Sequence, residues 1–435
     1  MMTTSEECRS RQGESRVFKF IHCADLHIDS PLWGLSEKTD APVEELRLAT
    51  RRAFDNLVET ALSEKVDFVV IAGDVFDGDW PDYSTGLFLN ARLAALGQAG
   101  IRVAMVSGNH DAESQISRRL TLPPNAKLLS TARPETMVWD DLGVAIHGQG
   151  FPERDVRDNL VPAYPHPRPG YFNIGLLHCS VDGLSGHETY APCKLDDLIN
   201  KGYDYWALGH IHKHQVLHTR PYVVYSGNLQ GRHIRETGAK GAVLVTVDDH
   251  NAAVQFRELD VIRWELAMVD LSEVDKPRDF ADRVAAAIES VAVKHPHMPM
   301  MVRIELVGAT ALHGELMADP ESWRSEAENI AGTRAPGRLW VEDVKFRTTS
   351  PPRPRTPLQE DALTELFGTI ERVSADQEFL DTFLADVKRY QGQIGSDAVH
   401  QREAVRLNNV GDVKALLPDA QALLYHIIHQ GGSPR

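Results

Sequence analysis

The sequence predicts a layered α/β core, a smaller α+β domain after it, and a helical tail. Short apolar, β-branched runs alternate with amphipathic helical spacing over the first 260 residues. The pattern changes after about residue 265, and a Pro/Arg stretch at 348–357 precedes a last set of helical faces. With 435 residues the chain exceeds one ordinary core, so two or three domains are expected.

Residues 1–15 are polar, lack an apolar stretch and read as a disordered leader rather than a signal peptide. The first domain is expected over 16–262. Within it "RVFKFIHC" (16–23), "VDFVVIAG" (66–73), "IRVAMVSG" (101–108), "FNIGLLHC" (172–179) and "YDYWALG" (203–209) have the length and near-continuous apolar character of buried strands. Helical spacing falls between them at 43–64 and 82–99, the first with Leu46, Leu48, Phe54, Leu57, Val58 and Leu62. Runs at 222–227, 241–248 and 252–259 read as a pairing meander. The second domain, 263–347, holds a helix at 277–294 with Phe280, Val284, Ile288 and Val291 on one face. Strands at 300–306 and 338–346 flank further helix. The linker at 348–357 cannot continue a helix. Phe379, Leu380, Phe383, Leu384 and Val387, then Leu423, Leu424, Ile427 and Ile428, give the tail at 358–435 its amphipathic faces.

Composition is that of a soluble globular chain, 42% hydrophobic and 25% charged, with no apolar run long enough to span a membrane. Four widely spaced cysteines without a CxxC argue against a disulfide framework and a structural zinc site, and fit a reducing cytosol. A net charge of −16 argues against an extended basic surface for duplex DNA. A bound metal cluster and a local Lys/Arg path still supply positive field.

Each of the five early strands runs into residues that bind metals. The first leads to "ADLH", with Asp25 and His27, and the second to "GD", with Asp74. The third leads to "GNHD", with Asn109, His110 and Asp111. The fourth ends at His178, and the fifth opens into "GHIH", with His210 and His212. Singly, each reads as a turn or helix cap. Five in order, all at strand exits, point to one rim, because sites in α/β sheets form outside the carboxyl ends of strands. Mixed imidazole, carboxylate and amide donors without thiolate suit manganese, iron or zinc better than calcium or magnesium. Asp74 is the natural bridge between two ions, and water activated there attacks phosphorus in line. His110 is left to donate a proton to the leaving oxygen, with Asp111 placed to fix its tautomer.

These motifs resemble those of the calcineurin-like metallophosphoesterases. Within that family the chain is similar to the DNA-repair exonucleases of the SbcD and YhaO type. "FIHCADLHIDSPL", "VIAGDVFDGD", "YAPCKLDDLINKGYDYWALGHIHKHQ" and "YSGNLQGRHIRETGAKGAVLVTV" are closest to the YhaO-like branch, over roughly residues 16–260. The resemblance implies a layered β-sandwich flanked by helices, with 263–347 as a capping domain. It implies one ion on Asp25, His27, Asp74 and His212, a second on Asp74, Asn109, His178 and His210, and His110 as the transition-state histidine. It also implies two divalent ions, manganese first with iron or zinc as alternatives. DNA would be the substrate, and an SMC-like coiled-coil ATPase of the SbcC or YhaN kind the partner, with a homodimer as one assembly. One departure stands out: some relatives carry a histidine three places after the bridging aspartate, where this chain has Asp77.

Other candidates carry less. His214 and His218, beyond "GHIH", read as bystanders, and His147 as either a structural strand-end residue or one at the cleft edge. His187 and Tyr190 lie in a polar loop that is either a substrate contact or an ordinary turn. Arg232, His233 and Arg235 form a basic cluster that either meets phosphates or makes surface salt bridges. Two rival functions remain: hydrolysis of a small nucleotide or other phosphodiester, which the acidic charge favours, and a scaffold for the ATPase, which the intact ligand set disfavours.

Overall fold

The computed structural model describes residues 17–30, 46, 48–78, 83–113, 120–183, 189–351, 362–391 and most of 409–420. The described residues through Trp264 form one compact unit, and those from Glu265 form a second.

The first unit begins with β1 (Val17–Cys23), α1 (Ala49–Glu64), β2 (Phe68–Ala72), α2 (Ser84–Gln98) and β3 (Arg102–Val106). A one-turn helix α3 (Asn109–Glu113) then leads to β4 (Ala126–Leu128). The next strands are β5 (Glu135–Trp139), β6 (Val144–Gly148) and β7 (Phe172–His178), followed by α4 (Leu195–Asn200), β8 (Tyr205–Gly209), β9 (Gln215–Thr219) and β10 (Tyr222–Tyr225). Finally β11 (Gly241–Asp248) and β12 (Asn251–Glu258) return to the first sheet. Two six-stranded sheets result, ordered β12-β11-β1-β2-β3-β4 and β5-β6-β7-β8-β10-β9.

Period-two alternation splits every central strand between two cores. In β1, Phe18 and Phe20, beside Phe68 of β2, face the second sheet, where they meet Ile174, Leu176 and Tyr205. Ile21 and Cys23 face α1 and α2 through Phe54, Leu57, Leu89 and Leu93. The second sheet's outer face carries Trp206, Leu208 and Tyr225 against Tyr164, Tyr190 and Leu198. The fold is therefore two packed sheets with helices and loops outside.

The expected meander holds only in its second half, where β11 and β12 pair antiparallel, and is corrected in its first. β10 runs parallel to β8 and antiparallel to β9, whereas β11 crosses to the other sheet and pairs antiparallel with β1. Alternation identifies a strand and its two faces but not its neighbour, and here neighbours in sequence part between sheets.

In the second unit β13 (Arg263–Asp270), α5 (Pro277–Lys294), β14 (Met300–Ala309), α6 (His313–Ala318), α7 (Pro320–Arg334) and β15 (Leu339–Thr349) build a three-stranded sheet ordered β13-β14-β15. Phe280, Val284 and Ile288 of α5 pack on Val302, Ile304 and Leu306 of β14. β15 thus runs through Thr349, two residues into the stretch read as linker. Helices α8 (Ala362–Ala375) and α9 (Gln377–Gln391) follow; on α9 Leu380 and Leu384 are buried while Phe379 and Phe383 are exposed. Leu423, Leu424, Ile427 and Ile428 lie outside the described residues, as do residues 1–15. No helix among the described residues is long and apolar enough to cross a membrane.

His22, on the inward face of β1, is fully buried between Tyr205 Oη at 3.0 Å and the Leu208 carbonyl at 3.1 Å. Burial pushes its pKa from 6.5 down to about 3. Between those values an unfolded chain binds a proton there that the folded chain refuses, so His22 weakens folding progressively as pH falls through that window. His22→Gln is expected to flatten the pH dependence of unfolding there by up to about 1.4 kcal/mol per pH unit, read from urea melts. Parallel profiles for the two proteins would contradict a neutral buried imidazole.

Candidate metal centre

The carboxyl ends of β1, β2 and β3 in one sheet, and of β7 and β8 in the other, meet at one rim. Past the sheet edge the segments after β1 and β2 stay side by side. Asp25 N donates to the Gly73 carbonyl at 3.0 Å, His27 N to that of Asp74 at 3.1 Å, and Ile28 N to that of Val75 at 3.0 Å. Asp25, His27, Asp74 and His210 all have positive φ, at 52°, 43°, 52° and 99°. Such backbone is costly for side chains with a Cβ and persists where surrounding structure enforces it. The glycines of "GNHD" and "GHIH" are steric necessities: a Cβ on Gly108 would strike the Asp74 carboxylate, and one on Gly209 the Ala72 carbonyl.

Two groups of donors that share Asp25 converge, Asp25, His27 and His212 in one and Asp25, Asp74 and His178 in the other, and His27, Asp77 and His110 form a third beside them; the ligand atoms in each group lie within 4.8 Å of one another. His27 Nε2 and His212 Nε2 approach to 3.2 Å. His178 Nδ1 is held by the Ala72 carbonyl at 2.9 Å, which turns Nε2 toward Asn109 Oδ1 at 2.9 Å and Asp74 Oδ2 at 3.4 Å. Asp25 belongs to both groups, whereas Asp74 joins one and accepts from the His110 amide through Oδ1 at 2.9 Å. The rim therefore offers Asp25 as well as Asp74 as a bridge. His210 joins neither group; its amide donates to both Asp25 oxygens at 3.1 Å, and its ring lies 5.4 Å from that of His178.

This donor set fits divalent ions. Its groups are oxygen and imidazole nitrogen, all are buried except the partly exposed His212, and His27 Nδ1 has no hydrogen-bond partner among the described residues. The charge balance also calls for a cation. Burial opposes ionisation of Asp25 and raises its pKa. Burial equally opposes protonation of His178, yet the charges of Asp74 and Asp25 lift it to about 9. A proton is thus retained where a cation's charge belongs.

Two family models match the chain: calcineurin-like phosphoesterase over residues 18–214, and the middle domain of metallophosphoesterase YhaO over 264–349. An uncharacterized metallophosphoesterase, YhaO of Bacillus subtilis, is 36% identical over 293 residues, covering 66% of this chain and 71% of that protein. The chain belongs to the calcineurin-like metallophosphoesterases. Weaker likeness extends to DNA double-strand break repair proteins Mre11 of Methanopyrus kandleri and Sulfurisphaera tokodaii, at 26% and 22% identity over 58% and 56% of this chain. The chain spans only about three fifths of those two relatives, 59% and 63% of their lengths.

Around this metallophosphoesterase rim the structure supplies partners that the sequence reading missed. His212 Nδ1 lies 2.6 Å from Glu236 Oε1, an acceptor that leaves Nε2 free for a metal. Glu236 sits in the same "GRHIRE" run that was read for its cations. The signal that would have found it is the need of every ligating histidine for an acceptor on its other nitrogen. Asp77, three places after Asp74, lies 2.8 Å from His110 Nδ1 and 3.6 Å from His27 Nδ1. The partner expected for His110 is corrected accordingly. Asp111 turns to backbone amides instead, accepting from Val75 at 3.2 Å, Phe76 at 2.9 Å and Gly108 at 3.0 Å, and so braces the Asp74 loop.

The basic cluster also differs from expectation. Arg232 is buried among Ser30, Asp77 and Glu236 rather than lying on the surface. His233 is half-buried with Nε2 3.5 Å from Glu236, and Arg235 is exposed. His187 lies outside the described residues, while Tyr190 is buried with its ring 5.5 Å from that of His210. His214 stacks on Phe256 at 4.6 Å, His218 bonds the Pro221 carbonyl at 2.8 Å, and His147 is held by Thr136 and Asn173. Glu236→Gln is expected to weaken manganese binding about 10–100-fold by calorimetry, the cost typical of removing such a partner. Unchanged affinity would show that Glu236 does not orient His212.

Proposed function

We propose that the chain is a DNA nuclease of the metallophosphoesterase family, cleaving phosphodiesters at a two-metal centre. The observation that carries this reading is the pair of donor groups at the shared rim, Asp25–His27–His212 and Asp25–Asp74–His178. Asn109, 2.9 Å from His178 Nε2, and His210, its ring 5.4 Å from that of His178, would add to the ligand set of the Asp74–His178 ion. Manganese is the proposed metal, with iron or zinc as alternatives for the same donors. Ions bound there lower the pKa of water and neutralise charge building on the phosphate.

The chain's own residues supply the rest. Burial opposes a proton on His110, but the hydrogen bond to Asp77 and the charges of Asp74 and Asp77 raise its pKa. With Nδ1 facing Asp77, the opposite nitrogen, Nε2, holds the proton for the leaving oxygen. DNA as substrate is supported by the names of the two Mre11 relatives. An SMC-like coiled-coil ATPase of the SbcC or YhaN kind is the proposed partner, supplying positive surface that a chain of net charge −16 lacks. Homodimer assembly and a cytoplasmic location belong to the same reading. The acidic charge favours one rival, a small nucleotide or other phosphodiester as substrate.

Asp74→Ala and His110→Ala are each expected to lower manganese-dependent phosphodiester hydrolysis by at least about 100-fold. Full activity in both would contradict the mechanism. Comparison of single-stranded DNA, duplex ends and a cyclic nucleotide decides the substrate. Cleavage of the cyclic nucleotide alone would replace the DNA reading.

A further inference from the structure

Arg232 is a cation turned away from solvent, its side chain 10% exposed. Nη1 donates to Ser30 Oγ at 3.1 Å and Asp77 Oδ2 at 3.3 Å, and Nη2 lies 3.6 Å from Glu236 Oε1. The Arg232 amide also donates to Glu236 Oε2 at 2.8 Å, so main chain and side chain are tied to the same carboxylate. Glu236 is itself fixed, accepting from Asn228 Nδ2 at 2.9 Å and facing His212 at 2.6 Å. Ser30 Oγ donates to Asp77 Oδ2 at 2.6 Å. One oxygen of Asp77 is thus gripped by Ser30 and Arg232, while the other, Oδ1, stands 2.8 Å from His110 Nδ1.

A carboxylate pivots easily about its last bond, and a cation placed to receive a substrate phosphate presents its donors to the cleft. Arg232 does the reverse, directing its terminal nitrogens at the carboxylates behind His110 and His212. We propose that Arg232 is a positioning residue: anchored on Glu236, it clamps Asp77 from behind so that Oδ1 holds His110 in line with the leaving oxygen. The inference rests on the reading of His110 as proton donor. As the P–O bond to the leaving group breaks, its electron pair stays on that oxygen, which takes the proton from His110 Nε2. An apolar residue in place of Arg232 leaves Asp77 Oδ2 with Ser30 alone, so the carboxylate is freer to turn and Oδ1 holds His110 less firmly.

Proton delivery matters most when the leaving group is poor, and that separates positioning from general damage. The test uses the full-length manganese-loaded chain and two thymidine 5′-phosphodiesters that differ only in their p-nitrophenyl or phenyl leaving group. Arg232→Met is expected to lower kcat on the phenyl ester about tenfold or more, and on the p-nitrophenyl ester less than about threefold, with KM nearly unchanged. Manganese affinity by calorimetry should weaken by no more than about threefold, since both donor groups remain. Added to His110→Ala, Arg232→Met should cause no further loss on the phenyl ester. Equal losses on both esters would overturn the proposal, as would multiplicative losses in the double variant or markedly weaker manganese binding. A raised KM with unchanged kcat would make Arg232 a phosphate contact instead. If the wild-type chain hydrolyses neither ester, the phosphodiesterase reading fails first and the positioning role falls with it.

Discussion

Everything at the rim depends on the backbone pairing that carries the ends of β1 and β2 side by side beyond their sheet. The bonds from Asp25 N to Gly73 and from His27 N to Asp74 extend the ladder past the point where the strands themselves stop. That extension forces left-handed backbone at Asp25, His27 and Asp74 and brings the two carboxylates into a buried space between the sheets. The second sheet closes the space with His178 and His212, which puts imidazole opposite carboxylate. Had β7 and β8 run antiparallel to β6 and β10, those histidines would sit at the far end of the sandwich.

Burying so much charge is costly unless it is paired. The protein answers with a surrounding layer of fixed partners. Asp111 braces the Asp74 loop through three backbone amides, Glu236 takes one nitrogen of His212, and Asp77 takes one nitrogen of His110. Arg232 joins the last two carboxylates. Asp77 and Glu236 are thereby kept ionised despite burial, held well below the usual carboxylate range by hydrogen bonds from His110 and His212. What remains unbalanced lies in the centre, where a divalent cation belongs.

Much of this was legible in the sequence because strand cores and strand exits carry different chemistry. Apolar runs of strand length located β1, β2, β3, β7 and β8, and the polar residue after each run marked the rim. Tertiary juxtaposition was not legible. The pattern "YVVY" announces a strand but not that β8 is its neighbour. Asp111, adjacent to His110 in sequence, looked like its partner, yet the one-turn helix at Asn109–Glu113 aims it the other way, and Asp77 reaches in from the loop after β2. Glu236 was hidden among cations for the same reason, since hydrogen-bond partners of ligands come from loops whose meeting no local pattern encodes.

Two donor groups that share Asp25 at one buried rim are placed to hold a pair of ions close together. Electron paramagnetic resonance of the manganese-loaded chain, with metal content measured on the same sample, tests it most directly. Two manganese ions per chain with the spectrum of an exchange-coupled pair are the expected result. A single ion giving an isolated six-line spectrum at saturating metal would contradict it.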